Sequence, residues 1–444
     1  MFGKVYKYFR KNIYLYGFES PYIALVLAYF FIVWIPTHFA EWLLVWGFLL
    51  AFLPFVLPIL LGIILVHSYL EYKREQYYWK QEYAMLEIRL PEEITQGPQA
   101  MELVLRTFYD TGEVDTPAHE WRGNTSPWFS LELVSTEGVV RFYVWTRARY
   151  KERIKAQIYA HYPSVQVAEV DDYTLEVPWE SGEYELWGIE NSLQLPDPYP
   201  IMTYKAWELE RSAEKEEFKV DPMLSLVEFF GSLGKGEHAW MQIVLRGHTK
   251  CYWSVDKYHE ELPIEEWAEL EIEEIGKKYV DKTESGETVP NFMRLPEGDK
   301  DKIKAISEKL NKQAFDVGMR TMYIARKEDW KGSIRNSGIP TAFRSFEHGS
   351  SGRGLNGLKP IFYIGPFNVR WHDFMGIRRR GLKRKFYNGY VLRQYFYEPY
   401  RDQHIVLNSE EIASLYHFPG KVAHTPTLAR MPSRRAEAPA NLPV

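Results

Sequence analysis

The chain has 444 residues, with 54 Lys and Arg against 59 Asp and Glu, a formal net charge of −5 and a pI near 6.2. That balance excludes a surface built throughout for polyanions and leaves only local basic patches. The single cysteine, Cys251, excludes an intramolecular disulfide and any cysteine-based zinc site, and it suits a reducing compartment.

In chain order the first feature is a pair of apolar arms, Pro21–Pro36 and Trp42–Val66, separated by Thr37-His38-Phe39-Ala40-Glu41. Neither arm carries a charged side chain. A helix needs about 20 apolar residues to cross ~30 Å of hydrocarbon, so the second arm suffices and the first recruits Tyr16–Phe18. The pattern predicts a transmembrane helical hairpin, kinked at Pro54 and Pro58 where the missing N–H groups leave carbonyls unpaired. Lys4, Lys7, Arg10 and Lys11 precede the hairpin, Lys73, Arg74 and Lys80 follow it, and the turn has no Lys or Arg. The positive-inside rule then places both termini and the soluble domains in the cytoplasm, at the inner (cytoplasmic) membrane. The second arm reads as a helix running on to about Tyr83, so residues 1–83 form the membrane hairpin and its extension.

Residues 84–175 read as a first domain of order β-α-β-β-α-β. Strands are expected at Ala84–Leu90, at Trp128–Ser135 and Val139–Thr146 around a turn at Thr136-Glu137-Gly138, and at Val165–Val170. Helices are expected after Pro91 and over Arg147–His161. That order is the split βαβ of the ferredoxin-like fold. Residues 176–330 partly repeat it: strand Tyr184–Leu195, helix Pro222–Leu233, strand His238–Arg246, an acidic helical insertion Glu260–Lys278, helix Lys302–Asn311 and strand Phe315–Arg326. One strand of the repeat has no counterpart. Residues 331–417 form a helical and basic/aromatic region that includes a Gly-rich loop, Gly349–Gly357, and a short helix capped by Asn408 or Ser409. Residues 418–444, rich in Pro, Ala and Arg, read as a flexible tail. The fold class is therefore α+β, with an N-terminal transmembrane helical hairpin and tandem ferredoxin-like (split βαβ) units.

The search for chemistry returns little. Gly231–Gly236 and Gly352–Lys359 lack the Gly-Lys-Ser/Thr of a phosphate-binding loop. His119-Glu120 has no second His at helical spacing, and Asp171-Asp172 and Glu273-Glu274 read as solvated faces. No catalytic residue, metal ligand or cofactor is assigned, and the chain is expected not to be an enzyme. One constellation stands out: Arg378, Arg379, Arg380, Lys383, Arg384 and Lys385, followed by Phe386, Tyr387, Tyr390, Tyr395, Phe396 and Tyr397. Such cations neutralise phosphates while aromatics stack on bases, which suits nucleic acid. The same cations suit anionic lipid heads, and a solvated face or an acidic protein partner stays open beside both.

The phrases Leu195-Pro-Asp-Pro-Tyr-Pro-Ile201, Asp221-Pro-Met-Leu-Ser-Leu226, Gly236-Glu-His-Ala-Trp-Met-Gln-Ile-Val244 and Arg435-Ala-Glu-Ala-Pro-Ala-Asn-Leu-Pro443, with the hairpin and tandem α+β units, carry a resemblance. The chain resembles the N-terminal, membrane-anchored, non-motor portion of conjugation and type IV secretion ATPases of the FtsK–HerA class. The resemblance implies a membrane-anchored, non-catalytic adaptor subunit of a DNA- or protein-translocation machine, acting in an oligomer with channel subunits. In that class such a tail leads into a motor carrying the phosphate loop, so the ATPase partner is expected to be encoded separately. The alternative is a membrane-tethered nucleic-acid-binding protein acting through the basic patch 378–385.

Overall fold

A computed structural model describes Tyr29 and residues 39–91, 94, 96–109, 121–207, 209, 221–248, 264–282, 288–290, 295–346, 356–361, 373, 376–420, 428 and 430–431. The chain divides into two units, Met1–Tyr72 with Phe367–Met375, and Lys73–Pro366 with Gly376–Val444.

The described part of the first unit is dominated by helix α1, Phe39–Lys80, continuous through Pro54 and Pro58, whose last residues, from Lys73, belong to the second unit. Its stretch from Ala51 is long and apolar enough to cross a membrane, and none of the apolar window is buried. Phe55 and Leu65 are about as exposed as side chains become, at 72% and 70%. The first arm of the expected hairpin lies outside the described residues except for Tyr29. Phe39, Ala40 and Glu41, assigned to the turn, are helical. Nothing in that sequence breaks a helix, and an acid near an N-terminus favours one.

The second unit is built on a ten-stranded sheet. Its elements are β1 (Tyr83–Pro91), α2 (Pro98–Leu105), β2 (Trp128–Thr136), β3 (Val139–Arg147), α3 (Lys151–His161), β4 (Gln166–Val170), β5 (Tyr184–Leu193), α4 (Pro222–Gly231), β6 (Glu237–Gly247), α5 (Ile264–Gly276), β7 (Val280–Lys282), β8 (Thr288–Pro290), α6 (Glu297–Leu310), β9 (Ala314–Arg326), α7 (Gly332–Ala342), β10 (Leu358–Ile361), α8 (Ile377–Val391), β11 (Ile405–Asn408), α9 (Ser409–Leu415) and β12 (Arg430–Met431). The sheet runs β10-β5-β9-β6-β2-β3-β1-β12, with β11 on β9 and β4 on β1.

Strand alternation sends alternate side chains to opposite faces, and both faces are covered. Phe129, Leu131 and Leu133 of β2, Met241 and Ile243 of β6 and Val317 and Met319 of β9 meet α2, α3, α4, α7 and α9 in the larger core. Trp128 and Val134 of β2, Trp240 of β6, Met322 of β9 and Tyr143 of β3 point the other way, into a second core closed by Phe386, Tyr387 and Tyr390 of α8. Close approach there needs glycine: a Cβ on Gly188 would lie 2.3 Å from the Phe386 ring and one on Gly318 2.3 Å from the Tyr395 ring.

The first six-element pattern forms as read, and its strands pair β4-β1-β3-β2, antiparallel throughout. In the second half β10-β5-β9-β6 is likewise antiparallel, and β2 pairs antiparallel with β6 to join the halves. The strand without a counterpart is β10, beyond residue 330, and the helix before it is α7. Helix α6, which the sequence reading counts among the elements of the second unit, packs with α5 in a small separate cluster through Ile306, Ala268 and Ile275. The tail from residue 418 also departs from expectation. Phe418 is buried, Leu428 bridges Val140, and Arg430 and Met431 pair in parallel with Leu90 and Pro91. The open backbone groups at the end of β1 give this short segment hydrogen-bond partners that its composition does not advertise.

Three of the four phrases behind the resemblance are structural clamps; the fourth, at 435–443, lies outside the described residues. The Leu195–Ile201 loop is gripped by Asn356, whose Nδ2 reaches the carbonyls of Leu195, Pro196 and Tyr199 at 3.1–3.2 Å. Glu411 accepts the Ile201 N–H at 2.8 Å. Asp221 caps α4 through the Met223 N–H and pairs with His417 at 2.9 Å. Glu237 is fully buried and paired with Arg335 and Lys331.

Candidate functional site

Helix α8 holds all six basic residues singled out in the sequence and no acid. Arg378, Arg379, Arg380, Arg384 and Lys385 are exposed, whereas Lys383 is buried. Lys383 pairs with Glu185. Burial lowers its ammonium to about 8, and the carboxylate against it favours the charged form. Arg384 reaches Glu180 at 3.4 Å, both largely exposed, a pair worth little in water. Gly376 precedes the helix in the left-handed region, with φ 71°, and supplies no side-chain cap. Three Arg residues in the first turn sit at the positive end of the helix dipole, where cations are disfavoured. Helix stability therefore does not explain their position.

The aromatic residues do not join them. Phe386, Tyr387, Tyr390, Tyr395 and Phe396 are at most 7% exposed and line the second core, while Tyr397 is half-buried against it. This corrects the reading in which they stack on bases. The physical reason is periodicity: positions 383, 386, 387 and 390 form one helical face at i, i+3, i+4 and i+7, and that face meets the sheet.

Beneath α8 a polar row crosses six strands in register: Glu87, Tyr143, Glu132, Gln242, Arg320 and Glu190. Each lies in the strand phase that faces the second core. Two arginine–carboxyl contacts organise the row. Glu132 accepts from Ser130 at 2.7 Å, Tyr173 at 2.7 Å, Gln242 at 3.0 Å and Arg393 at 3.1 and 3.3 Å. Arg393, itself 1% exposed, also engages Asp172. The Tyr173 and Tyr390 hydroxyls meet at 2.9 Å. Four strands apart in the sequence but close in register, Arg320 pairs with Glu190 at 3.2 Å and donates to the Gln394 carbonyl at 2.7 Å. Its guanidinium lies 4.5 Å from the centre of the Tyr395 ring. Burial, helped by the Asp402 charge, pushes the Glu190 carboxyl up to about 8 against the pull of Arg320. A small cleft beside this pair is bordered by Leu382, Lys385, Phe386, Tyr400 and Asp402.

A third centre lies on β9, along the strand from Arg320. Asp316 pairs with Arg246 at 2.8 Å, His248 at 2.7 Å and His404 at 3.6 Å. Although burial raises it, the charges of His404 and Arg246 hold this carboxyl far below its usual range. None of these residues stands out in the sequence by motif. Their signal is subtler: Glu132, Gln242 and Arg320 are polar residues inside largely buried strands, all in the phase facing away from the larger core.

Chemically, Glu102, Glu132, Glu190, Glu237, Asp316 and Glu411 each face a Lys or Arg. Such pairs hold buried charge in place. Among the described residues no group of three His, Cys, Asp or Glu is arranged to hold a metal ion. What the site offers outward is charge: a rigid helix, anchored by its aromatic face, presenting exposed cations. No curated protein matches the chain. A family model covers most of it, from the end of the apolar helix to the last described strand. The chain belongs to the family described as Domain of unknown function (DUF8128), whose model matches residues 71–431.

Proposed function

We propose that the chain is a membrane-anchored, non-catalytic adaptor of a conjugation-like DNA- or protein-translocation machine, working with a separately encoded ATPase. The observation that carries this reading is the split of α8, aromatic on the inside and cationic on the outside, in a chain that also carries an unburied apolar helix. A row of exposed side chains such as Phe55, Ile59, Ile63 and Leu65 is costly in water and suited to hydrocarbon. The hairpin, the inner-membrane location and a cytoplasmic body rest on the charge bias of the flanks. The antiparallel order β4-β1-β3-β2, matched by β10-β5-β9-β6, supports two split βαβ units of the ferredoxin-like kind. Engagement of the buried carboxylates in ion pairs supports a binding role over a catalytic one.

Two measurements test the adaptor role. The purified chain should hydrolyse no ATP, and the ATPase encoded beside it should co-purify from detergent-solubilised membranes. Magnesium-dependent turnover that survives rigorous purification would overturn it, as would failure of the two proteins to associate. The second reading, a tethered nucleic-acid binder, draws on the same exposed cations. It predicts DNA binding that falls steeply with salt through counterion release and vanishes when Arg378, Arg379, Arg380, Arg384 and Lys385 are reversed to Glu.

A further inference from the structure

We propose that the outer face of α8 docks on the anionic headgroups of the bilayer that α1 enters. The inference rests on the membrane reading of α1 and names the occupant of the basic face. Three observations favour lipid over nucleic acid.

The first is the fate of the aromatics. Binders of single-stranded nucleic acid combine basic grooves with exposed rings, and here the rings next to the cations are buried in the second core. The rings of α8 itself, Phe386, Tyr387 and Tyr390, are therefore closed to stacking on bases. The second is the apolar component of the same patch. Ile377, adjoining Arg378, Arg379 and Arg380, is 68% exposed. Cations beside exposed aliphatic side chains are the composition of a surface that lies at a headgroup boundary. The third is tethering. A body carried by an apolar helix meets headgroups at high local concentration, so individually weak contacts suffice.

The energetics fit a reversible contact. Each basic residue near an anionic surface contributes about a fivefold gain in the docking equilibrium, and the effect fades within a Debye length of ~8 Å at physiological salt. Salt and headgroup charge should therefore control docking without releasing the membrane helix.

The test uses the full chain in nanodiscs, with Cys251→Ser and an environment-sensitive dye on Ile377→Cys. Discs of phosphatidylcholine alone are compared with discs that also contain phosphatidylglycerol. The dye emission should shift to the blue, and a lipid-borne quencher should reach it, only in the anionic discs. High salt should reverse both effects. Arg378→Glu with Arg379→Glu and Arg380→Glu should abolish them. The milder pair Arg380→Gln with Lys385→Gln, both exposed and away from the core, should weaken docking about 25-fold. Identical signals in neutral and anionic discs would overturn the proposal. So would a dye that answers to added duplex or single-stranded DNA but not to lipid, which would assign the face to nucleic acid. A chain that fails to enter discs would overturn the membrane reading itself, an outcome distinct from entry without docking.

Discussion

Arg393 holds the second face together at the residue scale. It sits at a positive φ of 52°, a conformation that costs a non-glycine residue about 1 kcal/mol or more. Its guanidinium bridges Glu132 and Asp172, which justifies that strain. Removing one partner of a buried ion pair costs about 3–5 kcal/mol because the remaining charge stays buried. Arg393→Met should therefore lower stability by about that amount in urea titration of the detergent-solubilised chain, and adding Glu132→Gln should restore part of it. A loss below ~1 kcal/mol would show that the pair is not buried as described. Glu190 makes the complementary pH prediction. Its folded carboxyl is raised to about 8, above the value of about 4.3 in an unfolded chain. The native state thus keeps a proton that the unfolded state releases. Its stabilising contribution is complete below the unfolded value and is lost as pH rises through the folded one. Stability should decline between about pH 5 and 8, and Glu190→Gln should flatten that decline. His417 and His248, both raised by pairing with acids despite burial, act in the same direction, so the comparison of variant with parent is the informative one.

Two sides of one element, α8, obey different rules. Substituting Gln for Arg380 and Lys385 touches only exposed charge and should change stability by no more than about 0.5 kcal/mol. Tyr390→Ala removes a fully buried ring and should cost about 3 kcal/mol or more. Urea midpoints of the two variants should therefore separate clearly, and equal losses would contradict the division of the helix. The sequence makes the cations legible because charge needs no partner to be recognised. It also contains the spacing that places Lys383, Phe386, Tyr387 and Tyr390 inside, yet contiguity of the basic and aromatic runs suggests one joint surface. Long strands are legible from their extended apolar and β-branched runs: for Trp128–Thr136, Val139–Arg147 and Glu237–Gly247 the observed ends differ from the expected ones by a residue. β10 is not legible. Four residues, Leu358–Ile361, contain Pro360, and only the edge of β5 gives them a strand's pairing. α6 is legible as a helix, but its packing against α5 in a separate cluster is not.

For the whole molecule, the two halves share a strand order and meet at β2 and β6. The polar row runs across that junction, where Gln242 of β6 donates to Glu132 of β2, so it links the halves as well as supporting α8. Side-chain partners of this kind connect residues more than 100 positions apart, such as Glu132 with Arg393 and Glu190 with Arg320. No local pattern encodes them, whereas α1 announces itself through composition alone. Its membrane reading underlies both the adaptor role and lipid docking, and the side on which the body lies is the point to measure. In a Cys251→Ser background, single cysteines at His38 and at exposed Ser181 can be treated with a membrane-impermeant maleimide on intact cells. The account predicts labelling at position 38 without lysis and at position 181 only after lysis. Labelling of position 181 in intact cells, with position 38 protected, would contradict it.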